Sequence, residues 1–181
     1  MIITISGLPG SGKSTVGKIL AKKLGYAFLS MGDLRGKMAI DRGLTIDELN
    51  RLGEKEGWTD KEVDDYQRKY GQDHDRLVVE GRLSFYFIPQ SFKIFLTVNQ
   101  KTAAARTMEN RNERQDEKSA KTVEEAEKLL RERIESDRKR YLKYYKLDYT
   151  DPTHYDVVLD TTLPSVKEVV QIILDRLPKK M

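Results

Sequence analysis

Eight consecutive residues near the start of the chain, Gly7-Leu8-Pro9-Gly10-Ser11-Gly12-Lys13-Ser14, restrict its fold more than anything else in its 181 residues. They match G-x-x-x-x-G-K-[ST], a phosphate-loop pattern, and they sit between a strand-like run and a helix-like one. Ile2 to Ser6 is a short apolar run ended by Gly7, which reads as a buried strand entering a turn. From Lys13 onward Val16, Ile19, Leu20 and Leu24 recur at helical spacing, and Gly25 stands where a left-handed C-terminal cap belongs. In that order, strand, loop and helix surround a polyphosphate with backbone amides, which needs the conformational freedom of Gly7, Gly10 and Gly12. The opening of the helix adds its positive dipole end. Lys13 is set to reach the β and γ phosphates and the Ser14 hydroxyl to meet magnesium. Leu8, Pro9, Ser11 and Thr15 complete the candidate nucleotide cradle.

The rest of the chain extends this unit. Tyr26 to Leu29, Leu77 to Val79, Phe92 to Leu96 and Tyr155 to Leu159 read as further strands separated by helices, so the sheet is expected to be parallel. Between the second and third strands, Ser30 with Asp33, Thr45 with Glu48 and Thr59 with Glu62 each fit the capping-box spacing. A helical insert over about 31–76 follows from those three starts. Thr122 with Glu125 and Ser165 with Glu168 mark two later helices, the last with a packing stripe of Val166, Val169, Val170, Ile173 and Leu177. Residues 110–121 carry almost no apolar side chains and read as a loop, which predicts a lid at about 110–122. The whole is one domain with two excursions.

Composition removes several alternatives. With no cysteine, disulfides, thiolate metal sites and cysteine nucleophiles are all excluded. No run approaches the roughly 18 apolar residues of a membrane span, and the first residues lack a basic signal region. A cytoplasmic protein without membrane partners is the expectation.

A bound triphosphate leaves open what receives the phosphoryl group. Transfer depends on positioning and on cations that cover the migrating charge, and three places offer them. Glu80-Gly81-Arg82 follows a strand at the sheet edge where ligands sit in open α/β folds. Arg82 there suits bidentate contact with a phosphate, or forms a solvated turn. Glu80 suits the waters of a magnesium ion, or simply the turn. Arg133, Asp137 and Arg140 stand at i, i+4 and i+7 on one helix, beside an apolar stripe of Leu130, Ile134, Tyr141 and Tyr145. They form a cleft wall or an ordinary salt-bridged face. Arg106, Arg111 and Arg114 lie in or beside the expected lid, which suits exclusion of water. His74, His154 and Trp58 read as structural residues.

Taken together these segments resemble the nucleoside monophosphate kinases, and most of all their archaeal-type cytidylate kinases, over nearly the whole chain. Glu80-Gly81-Arg82 is similar to the E-G-R after the third strand of that family, and Arg133, Asp137 and Arg140 to its R-x-x-x-D-x-x-R. The resemblance implies a three-layer α/β P-loop NTPase fold with a five-stranded parallel sheet of order 2-3-1-4-5, a helical monophosphate-binding insert and a short lid. It implies catalytic roles for Lys13, Arg82, Arg133 and Arg140, acceptor contacts from Asp33, Arg35, Arg82 and Asp137, and lid roles for Arg111 and Arg114. ATP and magnesium are the implied cofactors, and a pyrimidine monophosphate the implied acceptor, handled by a monomer. One position departs from the pattern. In Ser30-Met31-Gly32-Asp33-Leu34-Arg35-Gly36 the family's usual arginine, four residues after the glycine, falls on Gly36, with Arg35 one residue earlier. One residue turns a helix by about 100°, so Arg35 addresses a different direction.

Rival readings are an adenylate or uridylate kinase and a shikimate-type kinase, which for a hydroxyl acceptor would need a carboxylate base near Asp33. From another class comes an ATP-dependent nucleic-acid-binding module. It is suggested by a sequence pI near 9.1 and by seven basic residues against three acidic over 131–146. No aromatic platform interleaves with those charges, which counts against nucleic acid.

Overall fold

In the computed structural model, which describes residues 1–109 and 120–178, the strand and helix expected around the glycine loop are β1 (Ile2–Gly7) and α1 (Lys13–Leu24). Gly25 closes α1 at φ +65°, the left-handed cap read from the sequence. β2 (Ala27–Ser30) leads into three helices, α2 (Met31–Ile40), α3 (Ile46–Lys55) and α4 (Trp58–Asp73). The chain then returns through β3 (Leu77–Glu80), the short α5 (Ser84–Phe87), β4 (Phe92–Thr97) and α6 (Gln100–Glu109). The long α7 (Val123–Tyr145), β5 (Val157–Asp160) and α8 (Val166–Arg176) complete it. All four pairings of the sheet are parallel, in the order β2-β3-β1-β4-β5, so β1 lies at the centre.

The side-chain period of two sorts the central strands between two layers of helix. Ile3, Ile5 and Val78 pack with Val16 and Leu20 of α1 and with Val169, Val170 and Ile173 of α8. Ile2, Leu77 and Val79 point the other way, onto Met38 of α2, Leu49 of α3 and Val63 of α4. β1 is therefore buried along its whole length, as a parallel strand covered on both faces must be. The same arrangement brings the C-terminal ends of β1 and β3, and the first turn of α1, to one edge of the sheet.

Four of the five helix starts occur as read. Ser30, Thr45, Thr122 and Ser165 each accept a hydrogen bond from the amide three residues on. Thr59 does not. The fourth helix of the chain begins two residues earlier than a Thr59 cap would place it, at Trp58 after Gly57, and Thr59 is fully buried with its hydroxyl on the Glu56 carbonyl, so it points inward and caps nothing. Trp58 packs at the surface and not in the core. It is 41% exposed, with Arg42 stacked 5.2 Å from its ring. The last strand starts two residues later than Tyr155, whose hydroxyl instead bonds the Tyr149 carbonyl. Most of the expected lid, Arg111 and Arg114 included, lies outside the described residues. Among the described residues no helix is long and apolar enough to cross a membrane.

Candidate active site

At that sheet edge a cavity of about 1180 Å³ opens between the glycine loop, α2, α4, the end of β3 and α7. Its donor end is built from neighbouring residues. Gly12 holds φ +80° in open space, so conformation and not crowding demands glycine there. α1 begins without a side-chain cap and without an acidic residue in its first turn, which leaves its amides and dipole to an anion. The Lys13 ammonium, nearly buried, donates to the Leu8 carbonyl at 2.9 Å. The Thr161 hydroxyl, from the end of the last strand, lies 3.0 Å from the Ser11 carbonyl and ties the loop to the sheet. Ser14 donates to the buried Glu80 carboxylate at 3.2 Å, and Ser30 donates to the same oxygen at 2.8 Å. A serine hydroxyl beside a carboxylate is a hard-oxygen pair of the kind that suits magnesium. Gly7, Leu8, Pro9, Gly10 and Thr15 occupy the loop and first turn as read, and Pro9, Gly10 and Thr15 line the cavity.

The opposite end is assembled from distant pieces. Arg82, just after β3, donates to Asp137 of α7 at 2.9 Å and to the Gly7 carbonyl at 3.2 Å. Arg140 donates to the other oxygen of Asp137 and grips Asp60 of α4 at 2.8 and 3.1 Å. Asp60 in turn pairs with Arg35 of α2 at 3.0 Å, while Arg35 also holds Asn50 of α3 at 2.9 Å and the Thr59 carbonyl at 2.8 Å. Three arginines and two aspartates thus form one chain of pairs across three helices and a strand end. Burial opposes charge on Asp137, yet Arg82, Arg140 and Arg133 together hold its carboxyl below the ordinary range. Burial likewise works against charge on Arg82 and Arg140, and their aspartate partners outweigh it, so both are held more firmly protonated. Arg35 goes the other way. Burial and the neighbouring Arg140 lower its affinity for a proton, because the two guanidinium groups share Asp60. Among the described residues, one terminal nitrogen of Arg35 and the Nε of Arg140 find no hydrogen-bond partner. The cluster carries one positive charge more than its aspartates neutralise, and half-buried Arg133 also lines the cavity wall. An anion in this cavity answers the surplus charge.

The sequence-level candidates therefore fall into place unevenly. The motif at Glu80-Gly81-Arg82 and the helix face at 133–140 were separate places in the sequence. The structure joins them through Asp137. Arg140 differs from the expected phosphate contact: it is 1% exposed, and both its terminal nitrogens face carboxylates, since a buried guanidinium must be paired. Asp33 is exposed on the first turn of α2 and lines the cavity, as does Arg35 despite its shifted position. Arg106 donates to the Thr161 carbonyl at 2.8 Å beside the loop. Sequence reasoning missed Asp60, Asn50, Asp64 and Gln67. Asp60, Asp64, Gln67 and Gly71 do follow one another at steps of four, three and four, a single helix face. Polar residues on the other faces, such as Asp65 and Arg68, hide that stripe.

Comparison with known proteins bears on the same residues. The sequence matches the cytidylate kinase-like family over residues 2–163. The chain belongs to that family. It is 36% identical to the cytidylate kinase of Methanocella arvoryzae over 99% of both chains. It is 39% identical to that of Natronomonas pharaonis over 89% of this chain and 81% of the relative. Among solved structures, this cytidylate kinase-like chain resembles an uncharacterised protein of Eubacterium ventriosum at TM-score 0.73 and 17% identity, over 99% of both chains. It also resembles the shikimate kinase of Acinetobacter baumannii, solved with shikimate, at TM-score 0.60 and 21% identity, over 98% of this chain and 95% of that one. At such identities the two structures speak for the fold alone.

Proposed function

We propose that the protein transfers the γ-phosphoryl group of ATP to the phosphate of a pyrimidine nucleoside monophosphate, CMP or dCMP, giving the diphosphate and ADP. As a member of its family it is a phosphotransferase. The observation that carries the reading is Arg82, which bonds the carbonyl of Gly7 in the donor loop and Asp137 in the arginine cluster at once. A residue so placed suits the contact between the two phosphates. In this reading the glycine loop and Lys13 hold the triphosphate, while Arg82, Arg35 and Arg133 hold the acceptor phosphate. Arg140 acts as a positioning residue, keeping Asp137 and Asp60 in register. Ser14 and Glu80 would hold magnesium, which supplies charge neutralisation across the β and γ phosphates. No general base is needed, because an ionised phosphate is already the nucleophile. The three helices over 31–76 act as the acceptor-binding insert. A cytoplasmic monomer is the setting of this reading.

The test is ADP production by purified protein with ATP and magnesium, offered CMP, dCMP, UMP, AMP, GMP and shikimate at equal concentration. A preference for CMP or dCMP is expected. Faster turnover of AMP or shikimate overturns the acceptor, and ATP-dependent nucleic-acid binding without any turnover overturns the kinase reading.

A further inference from the structure

One turn along α4 from Asp60, and lining the same cavity, is a second buried carboxylate that the arginine cluster does not use. Asp64 accepts a hydrogen bond at 2.9 Å from the Gln67 amide, whose own carbonyl accepts from Ser84 of α5 at 2.8 Å. Its other oxygen accepts from the Tyr145 hydroxyl of α7. The Asp64 carboxylate, which only accepts, fixes which way round the Gln67 amide lies, and Ser84 donates to the amide oxygen left over, so the Gln67 and Tyr145 donors both aim at Asp64. A carboxylate has about four lone-pair sites. After two donors it still has capacity for a third, and the cavity is where that capacity opens. Val63, Leu83 and Tyr141 line the same space with apolar and aromatic surface suited to a flat ring.

We propose that Asp64, aligned by Gln67 and Tyr145, reads the group at position 4 of the pyrimidine ring and thereby separates CMP from UMP. The inference rests on the pyrimidine reading above and names the residue that decides within it. Cytosine presents an amino group there, a donor that an ionised carboxylate accepts. Uracil presents a carbonyl, an acceptor that meets the carboxylate lone pairs head on. Neutralising Asp64 removes that repulsion. The group is placed for it: burial, together with the facing Asp60, pushes its pKa up to about 7, against the donors Tyr145 and Gln67 and the charge of Arg35 from α2. Glu80 and Arg82 face the cavity from the end of β3. CMP and UMP carry the same phosphate, so its titration cancels in the ratio of their kcat/KM values.

The experiment measures that ratio from about pH 6 to about pH 8.5 for the wild type, Asp64→Asn and Asp65→Asn. Asp65 is the adjacent, exposed carboxylate, paired with Arg68. The wild-type ratio of CMP to UMP is expected to rise several-fold with pH. In Asp64→Asn it is expected to fall by about tenfold or more, in line with the worth of one base-reading contact, and to lose its pH dependence. Asp65→Asn keeps the wild-type profile. A flat wild-type ratio overturns the assignment by itself, even if Asp64→Asn fails to fold, and so does an Asp64→Asn ratio as high as the wild type's. A wild type that turns over neither pyrimidine removes the proposed function, and this assignment with it.

Discussion

The two ends of the cavity are made in opposite ways. The donor end is nine consecutive residues, 7–15, whose useful groups are mostly backbone amides held by glycine conformation and a helix start. The acceptor end draws Arg35, Asp60, Arg82, Asp137 and Arg140 from across the chain, and partners such as Asp60 and Arg140 are 80 residues apart. A local device tolerates change around it, because its shape is written into its own segment. An assembled device depends on each helix arriving correctly, and each buried charge depends on the next.

That contrast orders the consequences of substitution. Lys13→Ala removes the loop's only side-chain cation and is expected to lower kcat/KM by about 10³-fold, while urea denaturation detects little change in stability. Arg140→Ala should do the reverse first. It leaves the buried Asp60 with Arg35 alone and the buried Asp137 with Arg82 alone, and costs about 3–5 kcal/mol of stability, read as a lower urea midpoint. If Arg140→Ala unfolds no more easily than the wild type, the acceptor end is not held together as described.

A smaller effect comes from Asp64, and its sign depends on pH. With a folded pKa of about 7 against an ordinary 3.8, the folded protein keeps a proton that the unfolded chain gives up. Wild-type stability contributed by this group is therefore full in acid and is lost as pH rises through about 7. Asp64→Asn avoids the loss, so its stability relative to the wild type is expected to improve between pH 5 and pH 8 by about 2–4 kcal/mol, measured by denaturation at both values. An unchanged difference refutes the raised pKa. Least of all is expected from Arg138→Ala. Arg138 pairs with Asp148 at 2.7 Å but is about half exposed, and the change should cost under about 1 kcal/mol.

The same contrast explains what the sequence made legible. The glycine loop, strand β1, helix α1 and its Gly25 cap depend on residues close together in the chain, and periodicity and capping chemistry mark them directly. The sheet order came through the resemblance, since no local signal says which strand lies beside which. Arg82 and Asp137 were recognisable as candidates, but their contact joins residues 55 apart. Asp60 was invisible because an aspartate near a helix start usually serves the dipole and solvent, and only the packing of α4 against α2 and α3, with Arg35 and Arg140 reaching it, turns it inward. The same packing explains the false cap at Thr59: the next turn of backbone was needed to show that its hydroxyl faces the interior. Arg35 illustrates the remaining gap. A one-residue offset from the family pattern suggested a different direction, and the insert accommodates it by giving Arg35 the partners Asn50, the Thr59 carbonyl and Asp60 at the cavity wall.

The division into a donor loop and an assembled acceptor cluster is tested most directly by calorimetric titration of CMP and, separately, of ATP into the wild type, Lys13→Ala and Arg82→Ala. The account predicts that Arg82→Ala weakens CMP by tenfold or more while Lys13→Ala leaves CMP affinity within about twofold, and that Lys13→Ala weakens ATP the more strongly of the two. Equal CMP affinity in the wild type and Arg82→Ala, or a loss of CMP binding in Lys13→Ala as large as in Arg82→Ala, would contradict it.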